Sequence, residues 1–208
     1  MMKRCIVIGS MPVDFDLKSI VIPDDFVFCA DGGYVHAEKQ GIVPDIIVGD
    51  FDSSVQPQYT KAQVIKLPVE KDDTDTYYIA RQIVKEGYTN AVFCGVTGGR
   101  LDHTFANIQM LKFLAQNGVD ATIVDKNTTI KVIINGKTVL QPQKDCYFSV
   151  FSLDEECIGV SENGGKYQLS DVSLTNSFPI GVSNEFADKE VEISVKKGSL
   201  LIITVKKD

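Results

Sequence analysis

Residues that commonly build metal centres and nucleophilic sites are scarce in this sequence of 208 residues. It contains two histidines, His36 and His103, five cysteines without a C-x-x-C pair, and no tryptophan. No Ser/His/Asp or Cys/His arrangement stands at a plausible spacing, and we expect neither zinc nor disulfides. Cys5, Cys29 and Cys94 lie inside apolar runs, which indicates reduced, buried thiols in a cytoplasmic protein.

The chain also lacks a basic surface and a membrane-spanning run. Its formal net charge of −7 and its isoelectric point near 4.9 argue against nonspecific binding to nucleic-acid phosphates. No stretch approaches the roughly 20 apolar residues that a transmembrane helix needs. The usual nucleotide fingerprints, G-x-x-x-x-G-K-[ST] and G-x-G-x-x-G, are absent as well.

What the first part does contain is an alternation of short apolar runs and helical patterns. The runs are rich in β-branched residues, which is typical of strands buried on both faces of a parallel sheet, and they cover 4–9, 26–30, 45–49, 63–67, 90–96 and 120–124. Helical spacing of Phe105, Ile108, Leu111 and Ala115 predicts a helix over 103–116 with these residues on its apolar face. A second helix is predicted from Thr74 to Glu86.

After about residue 128 the helical patterns stop and period-2 patterns follow. Strands are predicted at 130–134, 138–141, 146–153, 166–174, 190–197 and 200–206. We therefore predict an α/β domain over 1–127, with a mostly parallel Rossmann-like sheet and flanking helices. An antiparallel β-sandwich domain is predicted over 128–208.

Acidic or glycine-rich loops follow four of the predicted strands in the first domain. They are Asp31-Gly32-Gly33, Asp50-Phe51-Asp52, Lys71-Asp72-Asp73-Thr74-Asp75 and Gly98-Gly99-Arg100-Leu101-Asp102-His103. Each has an ordinary explanation, because aspartate caps helices and glycine makes turns. Carboxyl ends of parallel strands, however, meet at one edge of a sheet, where ligands bind.

A shared edge would make this cluster of carboxylates unstable without a cation. Two carboxylates about 4 Å apart repel by roughly 4 kcal/mol at an effective dielectric constant near 20. Mg²⁺ prefers oxygen ligands and is often completed by substrate phosphates, so it is the simplest ion for this edge. Gly98, Gly99 and Arg100 would face the phosphates, while a structural role for His103 is as plausible as a functional one.

Together these motifs resemble those of the thiamine pyrophosphokinases. The similarity rests on Ala30-Asp31-Gly32-Gly33, Pro44-Asp45 with Val48-Gly49-Asp50-Phe51-Asp52-Ser53, Asp72-Asp73-Thr74-Asp75, Gly98-Gly99-Arg100-Leu101-Asp102-His103 and Ser183-Asn184. It covers nearly the whole chain in the expected order, and the two predicted domains match the family's layout.

The resemblance implies transfer of a pyrophosphoryl group from ATP to the hydroxyethyl oxygen of thiamine, giving thiamine diphosphate and AMP, with Mg²⁺ as the cofactor. Catalytic roles would fall to Asp50, Asp52, Asp75, Arg100 and Asp102, and metal binding to Asp50, Asp52, Asp73 and Asp75. Nucleotide binding would fall to Asp31, Gly32, Gly33, Asp72, Thr74, Gly98, Gly99, Arg100 and His103.

The resemblance further implies a homodimer, with thiamine held between the α/β domain of one subunit and the β-sandwich of the other. Ser183 and Asn184 would hydrogen-bond the aminopyrimidine, although a plain turn is the alternative for this pair. Some members stack a C-terminal tryptophan near thiamine. Since this chain has none, another residue, such as Ile202 or Phe186, would take that place.

Two other functions fit parts of the sequence. Asp50-Phe51-Asp52 is superficially similar to the aspartate pair of magnesium phosphohydrolases, but those enzymes place the pair after the first strand and do not need the Gly-Gly-Arg-Leu-Asp loop. A non-catalytic nucleotide sensor would bind ATP even without the carboxylates that touch only metal or acceptor. The full set of acidic loops favours the enzyme.

Overall fold

The computed structural model of the chain describes residues 3–51, 61–68, 74–187 and 189–207. It divides into two compact units, Met1–Lys126 and Asn127–Asp208. None of the helices in these ranges combines the length and the apolar character that crossing a membrane requires.

The first unit is a parallel sheet with helices, as predicted. Its strands are β1 (Arg4–Ile8), β2 (Phe26–Ala30), β3 (Ile46–Gly49), β4 (Gln63–Lys66), β5 (Asn90–Cys94) and β6 (Asp120–Val124). Every pairing in the order β4-β3-β2-β1-β5-β6 is parallel. Strand β1 is buried from Cys5 to Ile8, as its unbroken apolar run requires.

The strand order reverses beside β1, and this reversal locates the functional edge. The chain moves outward from β1 through β2, β3 and β4, and then returns to place β5 on the other side of β1. Loops that leave β1 and β5 therefore diverge and open a crevice at the carboxyl ends of these strands, which is where open α/β sheets bind ligands.

Three α-helices are described in this unit, α1 (Gly33–Lys39), α2 (Asp75–Lys85) and α3 (Leu101–Gln116), together with a short 3₁₀ helix at Leu17–Ser19. Helix α2 agrees with its prediction, and the Thr74 hydroxyl caps it by accepting a hydrogen bond from the Tyr77 amide at 3.2 Å. The predicted apolar face of α3 was wrong in part. Phe105 is 58% exposed, and the buried stripe runs through Asn107, Leu111 and Leu114.

The second unit is built from antiparallel strands, as predicted. They are β7 (Thr128–Ile134), β8 (Lys137–Leu140), β9 (Cys146–Ser152), β10 (Glu156–Asn163), β11 (Leu169–Thr175), β12 (Gly181–Glu185), β13 (Val191–Ser194) and β14 (Ser199–Lys206). They form the layers β12-β9-β14-β7 and β11-β10-β13-β8. Apolar side chains of both layers, among them Phe148, Val160 and Ile193, make a common core.

Two of these strands, β10 and β12, were not predicted from the sequence patterns. Strand β10 places a carboxylate, Glu162, at a buried position, and Gly159 interrupts its alternation with a left-handed backbone. Strand β12 has the polar sequence Gly-Val-Ser-Asn-Glu, and its buried residues are Gly181 and the polar Asn184. Each strand thus places a polar side chain at a buried position, which periodicity does not reveal.

Candidate active site

A cleft of about 580 Å³ lies at the carboxyl edge of the first unit's sheet, next to the strand-order reversal. Seven of the residues predicted to form the site line it: Asp31, Asp50, Asp75, Gly98, Gly99, Arg100 and His103. They come from the ends of β2, β3 and β5 and from the starts of α2 and α3. The parallel topology thus brings together residues as far apart in sequence as Asp31 and His103, as the reasoning about strand ends predicted.

The other predicted residues fall into three groups. Asp52, Asp72 and Asp73 lie outside the described residues. Gly32, Gly33, Thr74 and Asp102 are described and lie beside the cleft in sequence, but they are absent from its walls. Ser183 and Asn184 belong to the second unit.

The three carboxylates of the cleft suit a hard cation. Asp31, Asp50 and Asp75 supply the oxygen ligands that Mg²⁺ prefers, and Mg²⁺ commonly takes only one or two carboxylates beside substrate phosphates. Within the described ranges, no three His, Cys, Asp or Glu side chains are gathered closely enough to hold a metal ion. The side chains that line the cleft are thus of the ligand type that Mg²⁺ takes beside substrate phosphates.

The ends of β2 and β3 carry backbone strain. Asp31 and Phe51 are non-glycine residues in the left-handed region, with φ of 48° and 58°. Such a conformation costs about 1–3 kcal/mol, and it persists where the surrounding structure imposes it, often at functional sites. Here the Asp31 amide donates to the Val48 carbonyl at 2.7 Å, which fixes the turn at the cleft.

The floor of the cleft is formed by direct backbone contact between the loops after β1 and β5. The Met11 amide donates to the Gly95 carbonyl at 3.0 Å, and a Cβ on Gly9 would lie 2.3 Å from that same oxygen. Glycine is therefore required at position 9 for the two loops to approach. Sequence reasoning missed this loop, because a single glycine after a strand is a weak signal.

Arg100 and Asp102 form an ion pair at the mouth of the cleft. The guanidinium donates from Nε to Asp102 Oδ1 at 3.1 Å and from Nη2 to Oδ2 at 2.6 Å. Asp102 Oδ1 also accepts from the His103 amide at 3.0 Å. The Arg100 hydrogen bonds lower the pKa of Asp102 to about 2. In this conformation Asp102 holds the arginine beside the cleft and does not itself enter it.

Removing the arginine tests this pairing. In Arg100→Leu we expect the pKa of Asp102 to rise from about 2 toward its ordinary 3.8, because the donor that stabilises the ionised carboxylate is gone. The measurement is a pH titration of the Asp102 side-chain carbon by NMR, with Lys85→Leu at the far end of α2 as the matched control. An Asp102 pKa that stays near 2 in Arg100→Leu would show that the arginine is not what lowers it, and a wild-type pKa already near 3.8 would show that the ion pair does not persist in solution.

A buried asparagine ties three elements of the cleft wall together. Asn107 Nδ2 donates to the Val96 carbonyl at 2.7 Å, and Asn107 Oδ1 accepts from the Thr76 hydroxyl at 2.7 Å. The loop after β5 and helices α2 and α3 are thereby joined through one amide. Asn107 was not predicted as a site residue, although a polar residue on the buried stripe of α3 is a signal that the sequence contains.

Gly33 was predicted to bind nucleotide, but the structure gives it a packing role. A Cβ at this position would lie 2.0 Å from the Ile8 carbonyl oxygen, because the start of α1 packs directly on the end of β1. Glycine at position 33 is therefore explained by the approach of two backbone segments, independently of any ligand.

We expect Gly33→Ala to lower the free energy of unfolding by about 3 kcal/mol, since backbone must shift to admit the methyl group. Urea unfolding followed by circular dichroism measures this. The control is Gly136→Ala, where the added Cβ would lie 3.4 Å from its nearest neighbour, an ordinary contact. Equal stability of the two variants would contradict the close approach of α1 to β1.

In the second unit, Ser183 and Asn184 have different surroundings. Asn184 is 5% exposed, and its amide makes four internal hydrogen bonds, to Glu162, to both backbone groups of Tyr167 and to the Glu185 amide. Ser183 is exposed and has a left-handed backbone with φ of 57°. The Asn184 side chain therefore serves the fold in this conformation, and Ser183 is the member of the pair that faces outward.

Both residues suggested to replace the tryptophan pack inside the second unit. The suggestion of Ile202 was wrong, because its side chain is 2% exposed and lies in the core. Phe186 packs against Phe148 with ring centroids 5.1 Å apart. An exposed aromatic residue that contacts Asn184 through its backbone is Tyr167, which the sequence reasoning did not consider.

Comparison with known proteins agrees with this geometry. A family model described as "Thiamin pyrophosphokinase, catalytic domain" matches residues 17–123, and one described as "Thiamin pyrophosphokinase, vitamin B1 binding domain" matches residues 136–200. Over 179 residues the chain is 26% identical to the thiamine pyrophosphokinase of Bacillus subtilis (strain 168), which covers 83% of this chain and 84% of that protein.

Solved structures give the same result. A crystal structure of thiamine pyrophosphokinase from Bacillus subtilis matches with a TM-score of 0.90 at 25% identity, covering 98% of this chain and 99% of that one. The enzyme from Geobacillus thermodenitrificans matches with a TM-score of 0.88 at 25% identity, covering 99% and 98%. The catalytic-domain model alone spans just over half of the sequence, and the chain belongs to the thiamin pyrophosphokinase family of enzymes.

Proposed function

We propose that this protein transfers a pyrophosphoryl group from ATP to the hydroxyethyl oxygen of thiamine, giving thiamine diphosphate and AMP. The observation that carries the proposal is the cleft at the strand-order reversal, in a chain of this family. The cleft combines three carboxylates with a Gly-Gly-Arg loop at the start of a helix. One part of this arrangement suits a metal ion and the other suits a polyphosphate.

The polyphosphate would lie against the loop after β5. Helix α3 has 16 residues, and its N-terminus carries positive potential that attracts anions. Gly98 and Gly99 adopt left-handed φ values of 83° and 65°, and neither has a side chain that could keep phosphate oxygens away. Arg100, already oriented by Asp102, adds a guanidinium that can bind phosphate oxygens through two hydrogen bonds.

Asp50 and Asp75 would hold Mg²⁺, together with Asp52 and Asp73, which lie outside the described residues. The bound metal would neutralise charge on the polyphosphate. The thiamine hydroxyl oxygen attacks the β-phosphorus in line, a new O–P bond forms, and the bond from the β-phosphorus to the α,β-bridging oxygen breaks to release AMP. The alcohol proton passes to a carboxylate of the cleft or to water. Positioning and electrostatics supply most of the rate enhancement.

We further propose that the protein is a homodimer, with thiamine between the cleft of one subunit and the second unit of the other. Support comes from an exposed apolar stripe of Phe178, Ile180 and Val182, which alternate in sequence along and just before β12. Strand β12 lies at the edge of its layer, and an edge strand with apolar residues is prone to pair or pack with another chain. A sedimentation mass near a single chain of 22.9 kDa at micromolar concentration would contradict the dimer.

Product analysis tests the reaction. The protein is incubated with ATP, Mg²⁺ and thiamine, and nucleotides and thiamine esters are separated by chromatography. We expect AMP and thiamine diphosphate in equal amounts, and no AMP when thiamine is omitted. ADP with thiamine monophosphate would show γ-phosphoryl transfer instead, and unchanged thiamine would reject the substrate.

A further inference from the structure

Glu162 places a carboxylate in the interior of the second unit. The residue lies on β10, is 1% exposed, and pairs in register with Ile193 of β13. Its Oε2 accepts a hydrogen bond from Asn184 Nδ2 at 2.9 Å, whereas Oε1 is buried without a hydrogen-bond partner among the described residues. Burial raises the pKa of Glu162 above its ordinary 4.5. A glutamate at this buried position therefore destabilises the fold relative to a leucine of similar size.

The hydrogen bond to Glu162 fixes one end of the Asn184 amide across the two layers of the unit. Strand β10 belongs to one layer and β12 to the other. With that end fixed, Asn184 Oδ1 accepts from the Tyr167 amide at 3.0 Å, and Asn184 Nδ2 donates to the Tyr167 carbonyl at 2.7 Å. The asparagine side chain thus pairs with the backbone of Tyr167 as a neighbouring strand would. Tyr167 itself precedes β11, so no strand pairing holds it.

What this arrangement presents on the surface is an aromatic ring and a hydroxyl group. The Tyr167 side chain is 62% exposed although its backbone is held on both sides. Ser183, next to Asn184, is also exposed, and its amide is held by the Ser149 hydroxyl at 3.0 Å. The Lys166 ammonium lies 5.6 Å from the centroid of the Tyr167 ring. An exposed aromatic residue whose backbone is held loses little entropy on binding, and it suits a flat, aromatic ligand.

We propose that Glu162 is a positioning residue for thiamine: through Asn184 it fixes Tyr167, and the Tyr167 ring stacks on the substrate. The inference rests on the proposed function, because it assigns thiamine to this surface. Thiamine offers an aminopyrimidine and a positively charged thiazolium, and both can stack on a tyrosine ring. Glu162 touches no substrate atom and acts only through the asparagine.

Steady-state kinetics with AMP formation as the readout test the proposal. We expect Tyr167→Ala to raise the KM for thiamine about 10-fold, as loss of a stacking partner does, with kcat and the KM for ATP unchanged within about 2-fold. Tyr167→Phe keeps the ring and should behave as the wild type. Val139→Ala, an exposed apolar residue of the same unit, is the matched control.

The glutamate is tested by a pair of variants. Glu162→Leu removes the acceptor and should raise the KM for thiamine to a similar extent, whereas Glu162→Gln keeps an acceptor oxygen for Asn184 and should restore the wild-type KM. Thermal melts confirm that each variant is folded at the assay temperature. Should Glu162→Leu fail to fold, Tyr167→Ala still tests whether the Tyr167 ring stacks on thiamine, because this exposed side chain is not part of the core.

Two outcomes would overturn the inference while leaving the proposed function intact: a wild-type KM for thiamine in Tyr167→Ala, or equal rises in the KM values for thiamine and ATP in Glu162→Leu. Failure of the proposed function looks different, since the wild type itself would then form no AMP from thiamine. Calorimetric titration of thiamine into wild type and Tyr167→Ala gives a binding readout independent of turnover. It should show about 10-fold weaker binding in the variant.

Discussion

Replacement of Asp50 by asparagine is expected to lower kcat about 100- to 1,000-fold, the range seen when one preorganised electrostatic group is removed from an active site. Asparagine keeps the shape of the side chain but removes the charge that would hold Mg²⁺ against the polyphosphate. Asp50 lines the cleft directly after β3, so no change in backbone is needed for this effect. The measurement is thiamine-dependent AMP formation at saturating ATP.

The control for this prediction is Asp24→Asn. Asp24 is an exposed aspartate just before β2, at the opposite edge of the same sheet, so the substitution makes the same change of charge far from the cleft. We expect wild-type kcat in Asp24→Asn and native circular dichroism in both variants. A kcat for Asp50→Asn within a few-fold of the control would remove Asp50 from the metal site.

Removal of divalent metal is expected to lower activity at least about 100-fold, because the negatively charged cleft would then repel the polyphosphate it has to bind. Dialysis against EDTA followed by the AMP assay measures the loss, and added Mg²⁺ should restore the rate. Asp75→Asn should need about 10-fold more free Mg²⁺ for half-maximal rate at saturating ATP.

This Mg²⁺ titration separates a protein-bound metal from one that only accompanies ATP. If the metal were held by ATP alone, Asp75→Asn and Asp24→Asn would need the same free Mg²⁺ concentration. If EDTA-treated protein kept its full rate without added metal, the account of the acidic loops would be wrong.

Much of the first unit was predictable because its signals are local and repeated. Apolar runs such as Cys5–Ile8 identify strands buried on both faces, and parallel strands place their carboxyl ends at one edge. From that single topological rule, the sequence predicts that one edge of the sheet carries Asp31, Asp50, Asp75 and Arg100. The observed cleft confirms that these residues share one edge, while their individual roles stay predictions.

The residues that sequence reasoning missed act through backbone approach and buried hydrogen bonds. Gly9 is needed because another loop's carbonyl oxygen lies where its side chain would be, and no pattern along the chain encodes that neighbour. Asn107 and Glu162 are polar residues at buried positions, where periodicity predicts apolar ones. Their hydrogen-bond partners come from elements distant in sequence. Only the three-dimensional structure therefore shows which hydrogen bonds these two side chains form.

The fold also bears on the alternative that Asp50 and Asp52 are the aspartate pair of a magnesium phosphohydrolase. Asp50 follows β3, whereas the phosphohydrolase arrangement considered above requires an aspartate pair after the first strand. The loop after β1 contributes Gly9, Ser10 and Met11 to the cleft instead, and none of these residues has a carboxylate. The position of Asp50 in the sheet therefore favours metal binding over a phosphoaspartate nucleophile.

The central claim is that the cleft transfers the terminal two phosphates of ATP together, directly to thiamine. The measurement that tests it most directly is the fate of ATP labelled with ³²P at the β-phosphorus, incubated with wild-type protein, Mg²⁺ and thiamine. We expect the label in thiamine diphosphate, one labelled molecule for each AMP formed, and none on the protein. Label recovered in ADP or bound to the protein, as on Asp50, would contradict the account.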